Sequence, residues 1–213
     1  MTHSLHRLGK PQELKEDWVV ICISAAGINN VGAGVKIKRF LELCAENNAS
    51  SMGSNLSSEY LEESREKFIN LHCDDNTMAG QVTFSNEKDV ANLLKQLKKE
   101  DLGISVVVSG LIDEVDHICK CTGNHHHTVT NSLGIWGRTD LLPPPEILAI
   151  TTMCGHGMIS ANHVYFLLDR IKKGLITPEK ASLDMAKDCV CGIFNPVRCT
   201  KLLKAMIEVD AED

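Results

Sequence analysis

The sequence has no long apolar run, few aromatic residues and no surplus of positive charge, and each absence excludes a class of protein. No stretch reaches the roughly 18 consecutive apolar residues that a membrane-spanning helix needs. Aromatic residues make up 4% of the chain, too few for a stacking platform on single-stranded nucleic acid. A net charge of -6 gives no attraction to nucleic acid or to an anionic membrane. We therefore expect no nucleic-acid and no membrane partner.

The first residues also lack the apolar core of a secretion signal, which predicts a cytoplasmic protein. Cysteine, by contrast, is abundant, with nine residues among 213. In a reducing compartment these thiols are poor candidates for a disulfide framework. Metal binding or redox chemistry is the better interpretation.

The hydrophobic pattern predicts an α/β fold with a small parallel or mixed sheet in the N-terminal half. Apolar runs at 18–24, 81–85 and 104–109 are typical of buried strands. Residues 86–100, capped by Asn86, read as a helix between the last two strands. A strand, a helix and a strand in succession indicate a βαβ crossover and hence parallel pairing.

The chain divides, on composition, into an α/β domain at 1–112 and a Cys/His-rich, mainly helical metal-binding region at 113–213. Residues 51–58 are rich in serine and predict a loop, and 113–151 are also predicted to be mostly loop. Helix starts in the second region are predicted near Pro145, Ser160, Pro178 and Asn195.

Three clusters of cysteine and histidine lie in the second region. They are Cys119-Lys-Cys121 with His125-His126-His127, then Cys154-Gly-His156, then Cys189-Val-Cys191. Thiolate and imidazole are the side chains that hold soft and borderline transition metals. In an extended segment alternate residues point the same way, so His125 and His127 face one side of the chain and His126 faces the other. The candidate metal ligands are Cys119, Cys121, Cys154, Cys189, Cys191, His125 and His127.

The spacing of the two Cys-x-Cys pairs favours a cluster over a single structural zinc ion, which usually takes Cys-x2-Cys. Glycines flank the clusters, and the helix start at Asn195 would point its positive end toward Cys191. We therefore expect an iron–sulfur cluster, of the 4Fe-4S type, held by four of the five cysteines. A zinc site is the main alternative to the cluster. A further alternative is that these cysteines are buried thiols that bind no metal.

Two histidines are candidate catalytic residues. His156 lies between two glycines and beside Cys154, where an imidazole can bind the metal or move a proton. His126 faces away from the other two members of its run and is a candidate for the same work. Hydrogen bonding to the backbone is an equal alternative for His156, and a solvated loop for His126.

A second candidate site is the glycine-rich turn after the first strand. Its residues are Gly27, Asn29, Asn30, Gly32 and Gly34. Such turns present backbone N–H groups to phosphate or carboxylate, although this spacing matches neither the dinucleotide fingerprint nor the P-loop. Close packing of helix on strand explains the glycines equally well. In a parallel sheet this turn and the end of the third strand, at Ser109, would share one rim with the first cysteine pair.

These features together predict a metal-dependent enzyme of redox or lyase type, with an iron–sulfur cluster and a small anionic substrate held by the glycine-rich turn. The alternative is a non-enzymatic module with a structural zinc or cluster site, used for partner binding or metal handling. A metallochaperone or sulfur carrier is a weaker third hypothesis. The sequence does not set the oligomeric state and leaves a homodimer open.

Overall fold

A computed structural model describes residues 5–55, 58–59 and 65–212. The fold is mixed α/β. The strands are β1 (Trp18–Ile23), β2 (Ser51–Ser54), β3 (Ser58–Glu59), β4 (Ala79–Phe84) and β5 (Ser105–Ser109). The helices of the first half are α1 (Pro11–Leu14), α2 (Ala33–Glu46), α3 (Arg65–His72), α4 (Glu87–Glu100) and α5 (Ile112–Thr122). Those of the second half are α6 (Pro145–Thr151), α7 (Ala161–Lys172), α8 (Pro178–Ala186) and α9 (Pro196–Glu212).

The five strands form one sheet in the order β3-β2-β4-β1-β5. Each described pairing is antiparallel, so the prediction of a parallel or mixed sheet is wrong for these strands. β4 and β5 do run in the same direction, but β1 lies between them. β1 and β2 are likewise separated by β4. The segments β1–α2–β2 and β4–α4–β5 are therefore two interlocked split β–α–β units, which is a ferredoxin-like connectivity.

The side chains of β1 alternate between two hydrophobic cores. Trp18, Val20 and Cys22 point into the first core, where they pack with residues of α2 and α4. Val19 and Ile21 point into the second core, which is formed with α6, α7, α8 and α9. The sheet is therefore covered on both faces. This double burial explains why β1 has a continuous apolar run, which looks the same in a parallel and an antiparallel sheet.

The helix boundaries follow the capping residues closely. Asn86 accepts a hydrogen bond from Lys88 N at the start of α4, and Ser160 accepts one from His163 N at the start of α7. Thr177 caps α8 in the same way. Among the described residues, no helix has both the length and the apolar character required to cross a membrane.

Two predicted loops are regular structure. Residues 51–54 of the predicted serine-rich loop form β2, in which all four residues are buried. Residues 112–122, at the start of the predicted loop-rich segment, form α5. This helix packs on the first core through Ile118 and contains both cysteines of the first pair.

Candidate metal centre

Two loops of the helical half bring the second and third Cys/His clusters together. Cys154 and His156 lie between α6 and α7, and Cys189 and Cys191 lie between α8 and α9. The Sγ atoms of Cys189 and Cys191 are 3.9 Å apart. Cys191 Sγ is 3.6 Å from His156 Nδ1, and the Cys154 thiol hydrogen bonds to Cys189. The four side chains therefore form one continuous group.

The three cysteines of the group are buried in the second core, whereas His156 is exposed. Cys189 is fully buried, and Cys154 and Cys191 are 2% and 9% exposed. Val190, between the two cysteines of the pair, is 61% exposed, so the thiols point inward and the intervening side chain outward. Backbone groups of His156 and Met158 hydrogen bond to Cys154, and the backbone of Ile193 hydrogen bonds to Cys191. Such bonds to sulfur stabilise a thiolate.

Close backbone contact holds the Cys-x-Cys loop on β2. A Cβ atom on Gly53 would lie 2.3 Å from the carbonyl oxygen of Cys191. Gly192 has a φ of +74°, and its Cβ would lie 2.7 Å from Gly53 N. Ser51 Oγ donates a hydrogen bond of 2.7 Å to the Gly192 carbonyl. This contact explains why β2, a buried inner strand, carries serine and glycine.

A buried polar network fixes the other end of the same loop. Asn195 Oδ1 accepts a hydrogen bond from Arg198 N at 3.1 Å and so caps α9, as the sequence predicted. Asn195 Nδ2 donates to Asp17 Oδ1 at 3.1 Å, immediately before β1. Arg7 donates to the Ile193 carbonyl and also, at 2.6 Å, to Asp17 Oδ2. Hydrogen bonds therefore attach the end of this loop to Asp17, just before β1, and to Arg7 in the segment ahead of that strand.

Hydrogen bonding to Cys189 and burial raise the pKa of the Cys154 and Cys191 thiols well above the ordinary value of a cysteine. Without a nearby cation these two groups are held as neutral thiols. A bound metal ion reverses this balance, because its charge stabilises the thiolate form.

The first Cys/His cluster does not join this group. Cys119 and Cys121 lie on α5, which packs on the first core, whereas the other three cysteines belong to the second core on the opposite face of the sheet. His125 and His127 are exposed, and His126 Nδ1 lies 3.2 Å from Asp116 Oδ1. The helix separates two residues spaced i, i+2, so Cys119 and Cys121 point in different directions.

Side chains of the glycine-rich turn accept hydrogen bonds from some of its own backbone N–H groups. Asn29 Oδ1 accepts from Ala25 N, and Asn30 Oδ1 accepts from Gly27 N, each at 2.7 Å. A Cβ on Gly34 would lie 2.0 Å from the Asp74 carbonyl oxygen, so this glycine serves close packing. Gly32 has a φ of +71° and open space around it.

The expected shared rim also does not form. Because β5 is antiparallel to β1, Ile23 pairs with Ser105 and Val19 with Ser109. The glycine-rich turn and the end of β5 therefore lie at opposite ends of the sheet.

No group of three or more His, Cys, Asp or Glu side chains in the described part of the chain is arranged so that it could hold a metal ion as it stands. The Cys154, His156, Cys189 and Cys191 side chains are adjacent but would have to turn toward a common centre. Two surface cavities of about 290 and 360 Å³ lie elsewhere, beside Ser105 and beside Leu175. Neither is lined by a member of the group.

Comparison of the chain with known protein families, with curated proteins and with solved structures finds no match.

Proposed function

We propose that the protein is a non-enzymatic metal-binding module in which Cys154, His156, Cys189 and Cys191 bind one zinc-type divalent ion. The ion would join the two loops of the helical half above β2. The observation that carries the proposal is the convergence of three thiols and one imidazole, from loops separated by α7 and α8, at 3.6 and 3.9 Å.

These distances fit the edges of a tetrahedral site. Bonds of about 2.3 Å to sulfur and about 2.0 Å to nitrogen give edges of about 3.8 Å between two sulfurs and about 3.5 Å between sulfur and nitrogen. The measured 3.9 Å for Cys189–Cys191 and 3.6 Å for Cys191–His156 are close to these values. In a 4Fe-4S cluster each cysteine binds a different iron, so the sulfurs stand farther apart.

The number of donors supports a structural role. Three cysteines and one histidine complete a four-coordinate zinc site, whereas a catalytic zinc keeps one position for water or substrate. The three cysteines are also buried, with Cys191 at 9% exposure the most open of them, while His156 lies at the surface. A closed site of this kind stabilises the fold, since metal binding and folding are coupled.

An iron–sulfur enzyme is the second candidate, with His156 as the acid or base. The feature that favours it is the set of backbone hydrogen bonds to the sulfurs of Cys154 and Cys191, which tune thiolate-held clusters. In a 2Fe-2S cluster two cysteines share each iron, so a close pair of sulfurs is compatible with it.

Metal analysis of protein purified without oxygen tests both candidates. The module predicts one zinc ion per chain, no acid-labile sulfide and no colour, with visible absorption from thiolate-bound metal only after exchange for cobalt(II). Brown protein that contains iron and sulfide would contradict the zinc site and support the cluster.

Serine variants identify the ligands. Cys154→Ser, Cys189→Ser and Cys191→Ser should each reduce bound metal to a small fraction. Cys199→Ser is the matched control, because Cys199 is a fully buried thiol of the same core that lies outside the group. Equal metal content in all four variants, or full metal loss in the control, would rule out the proposed ligand set.

A further inference from the structure

Cys121 lies beside a histidine of its own helix and not beside its expected partner. Its Sγ atom is 3.6 Å from Nε2 of His117, one turn earlier on α5. In an α-helix residues spaced i, i+4 share a face, whereas Cys119 lies on another side of the helix. Because this segment is a helix, Cys121 lies beside His117 in a His-x3-Cys pair and not beside Cys119 in the predicted Cys-x-Cys pair.

Both members of this pair are open to solvent. The His117 side chain is 64% exposed, and of the nine cysteines, all within the described residues, Cys121 alone is exposed. Glu87, in the first turn of α4, places Oε1 3.8 Å from His117 Nε2 and adds negative charge beside the pair. An imidazole and a thiol with a carboxylate nearby are attractive to divalent ions of the zinc, cobalt and nickel type.

We propose that His117 and Cys121 form a two-ligand surface site for a divalent ion of this type, with water completing the coordination. The sulfur–nitrogen distance of 3.6 Å is close to the edge of about 3.5 Å expected when both atoms bind one tetrahedral ion. The site is separate from the Cys154 group, because α5 packs on the first core and that group belongs to the second.

The three histidines that follow α5 are not ligands of this site. His126 is placed against Asp116, with 3.2 Å between Nδ1 and Oδ1. The helix itself supplies the geometry, since two ligands fixed one turn apart bind one ion with a high effective concentration. Loss of either ligand should therefore weaken binding by about tenfold or more.

Protection of Cys121 from alkylation tests the site one residue at a time. The folded protein is treated with iodoacetamide at increasing zinc concentrations, and mass spectrometry of the Cys121 peptide gives the reaction rate. Saturating zinc should slow this reaction by about tenfold or more, and His117→Gln should raise the zinc concentration needed for half protection by at least about tenfold.

Two controls separate this site from other effects. Cys119→Ser removes the neighbouring thiol of the same helix and should leave the half-protection concentration unchanged. Cys191→Ser, which removes a ligand of the buried group, should also leave it unchanged, so the outcome does not depend on the module proposed above. An unprotected Cys121, or equal half-protection concentrations in wild type and His117→Gln, would overturn the proposal.

Discussion

Arg198 Nη1 donates a hydrogen bond of 2.6 Å to Asp17 Oδ2, and both residues are 2% exposed. Arg7 donates to the same carboxylate oxygen, also at 2.6 Å. Two buried guanidinium groups therefore share one buried carboxylate at the start of β1. Because α9 begins immediately after the Cys-x-Cys loop, this contact also fixes where the cysteines lie on the sheet.

The Asp17 network predicts a large loss of stability when its carboxylate is removed. Asp17→Asn leaves two buried cations without their anion, and breaking a buried pair in this way costs about 3–5 kcal/mol. The control is Asp140→Asn, since Asp140 accepts from Arg138 Nη2 at the same 2.6 Å but its side chain is 61% exposed. That variant should change the free energy of unfolding by less than about 1 kcal/mol. Denaturant titration measures both, and similar losses would contradict this view of the network.

One methyl group added at Gly53 should disturb the proposed metal site, because β2 packs against its Cys-x-Cys loop. In Gly53→Ala the new Cβ would meet the Cys191 carbonyl at 2.3 Å, so the loop must shift. We expect a destabilisation of about 1–3 kcal/mol, together with faster loss of metal to a chelator. Gly27→Ala is the control, because its φ of +74° gives backbone strain while no atom lies within 4 Å of the new Cβ. Faster metal loss in the control than in Gly53→Ala would show that the contact is unimportant.

Removal of the proposed metal ion should lower the Tm of the wild type but not that of a ligand variant. An ion present at a thousandfold excess over its Kd stabilises the folded state by about 4 kcal/mol. For a chain of this size that corresponds to a fall in Tm of about 8–16 °C on chelation. Cys191→Ser should have a lower Tm at the start and show no response to the chelator. A wild type that melts at the same temperature with and without chelator would contradict the stabilising role.

The buried thiol of Cys22 should make the folded state less stable as the pH becomes alkaline. Burial raises the pKa of its thiol to about 12, above the ordinary value of 9.0 that a cysteine has in the unfolded chain. The folded state therefore keeps a proton that the unfolded state loses between these values, and stability falls as the pH rises through this window. The contribution is about 1.4 kcal/mol per pH unit for this one group.

Replacement of this thiol tests the prediction by slope and not by absolute stability. Cys22→Ala should flatten the fall in the free energy of unfolding between pH 9 and 11, relative to wild type. Val20→Ala, on the same strand and in the same core, lowers stability but carries no titrating group, so it should keep the wild-type slope. Parallel slopes for all three proteins would show that Cys22 does not contribute.

Local features of the fold could be predicted from the sequence, and long-range pairings could not. Asn86, Ser160 and Thr177 mark helix starts because a cap acts on backbone groups two or three residues away. The direction of the strands depends on neighbours far along the chain. β2 was predicted as a loop because serine and glycine are typical of loops. Ser51 and Gly53 suit this strand because of their contacts with residues 191–192, which lie far along the chain.

The candidate site shows the same division. The cluster of Cys154, His156, Cys189 and Cys191 was selected by residue type, and the structure brings these four side chains together. The assignment of Cys119 to the same site depended on treating its segment as a loop. The apolar residues Ile112, Val115 and Ile118 recur at a helical spacing, which is the signal that could have identified α5 and the pairing of Cys121 with His117. No local signal marks Asp17 as a partner of Arg198.

The sharing of β1 between two cores has a consequence for how the chain folds during synthesis. When the first half has left the ribosome, Val19 and Ile21 have no covering layer, because α6, α7, α8 and α9 are synthesised later. An incomplete chain therefore presents an apolar sheet face that can associate with other chains. Productive folding should therefore require that synthesis reaches α9 before the exposed face associates with another chain. A chaperone that covers this face would help most after the first half is made and before the second half is complete.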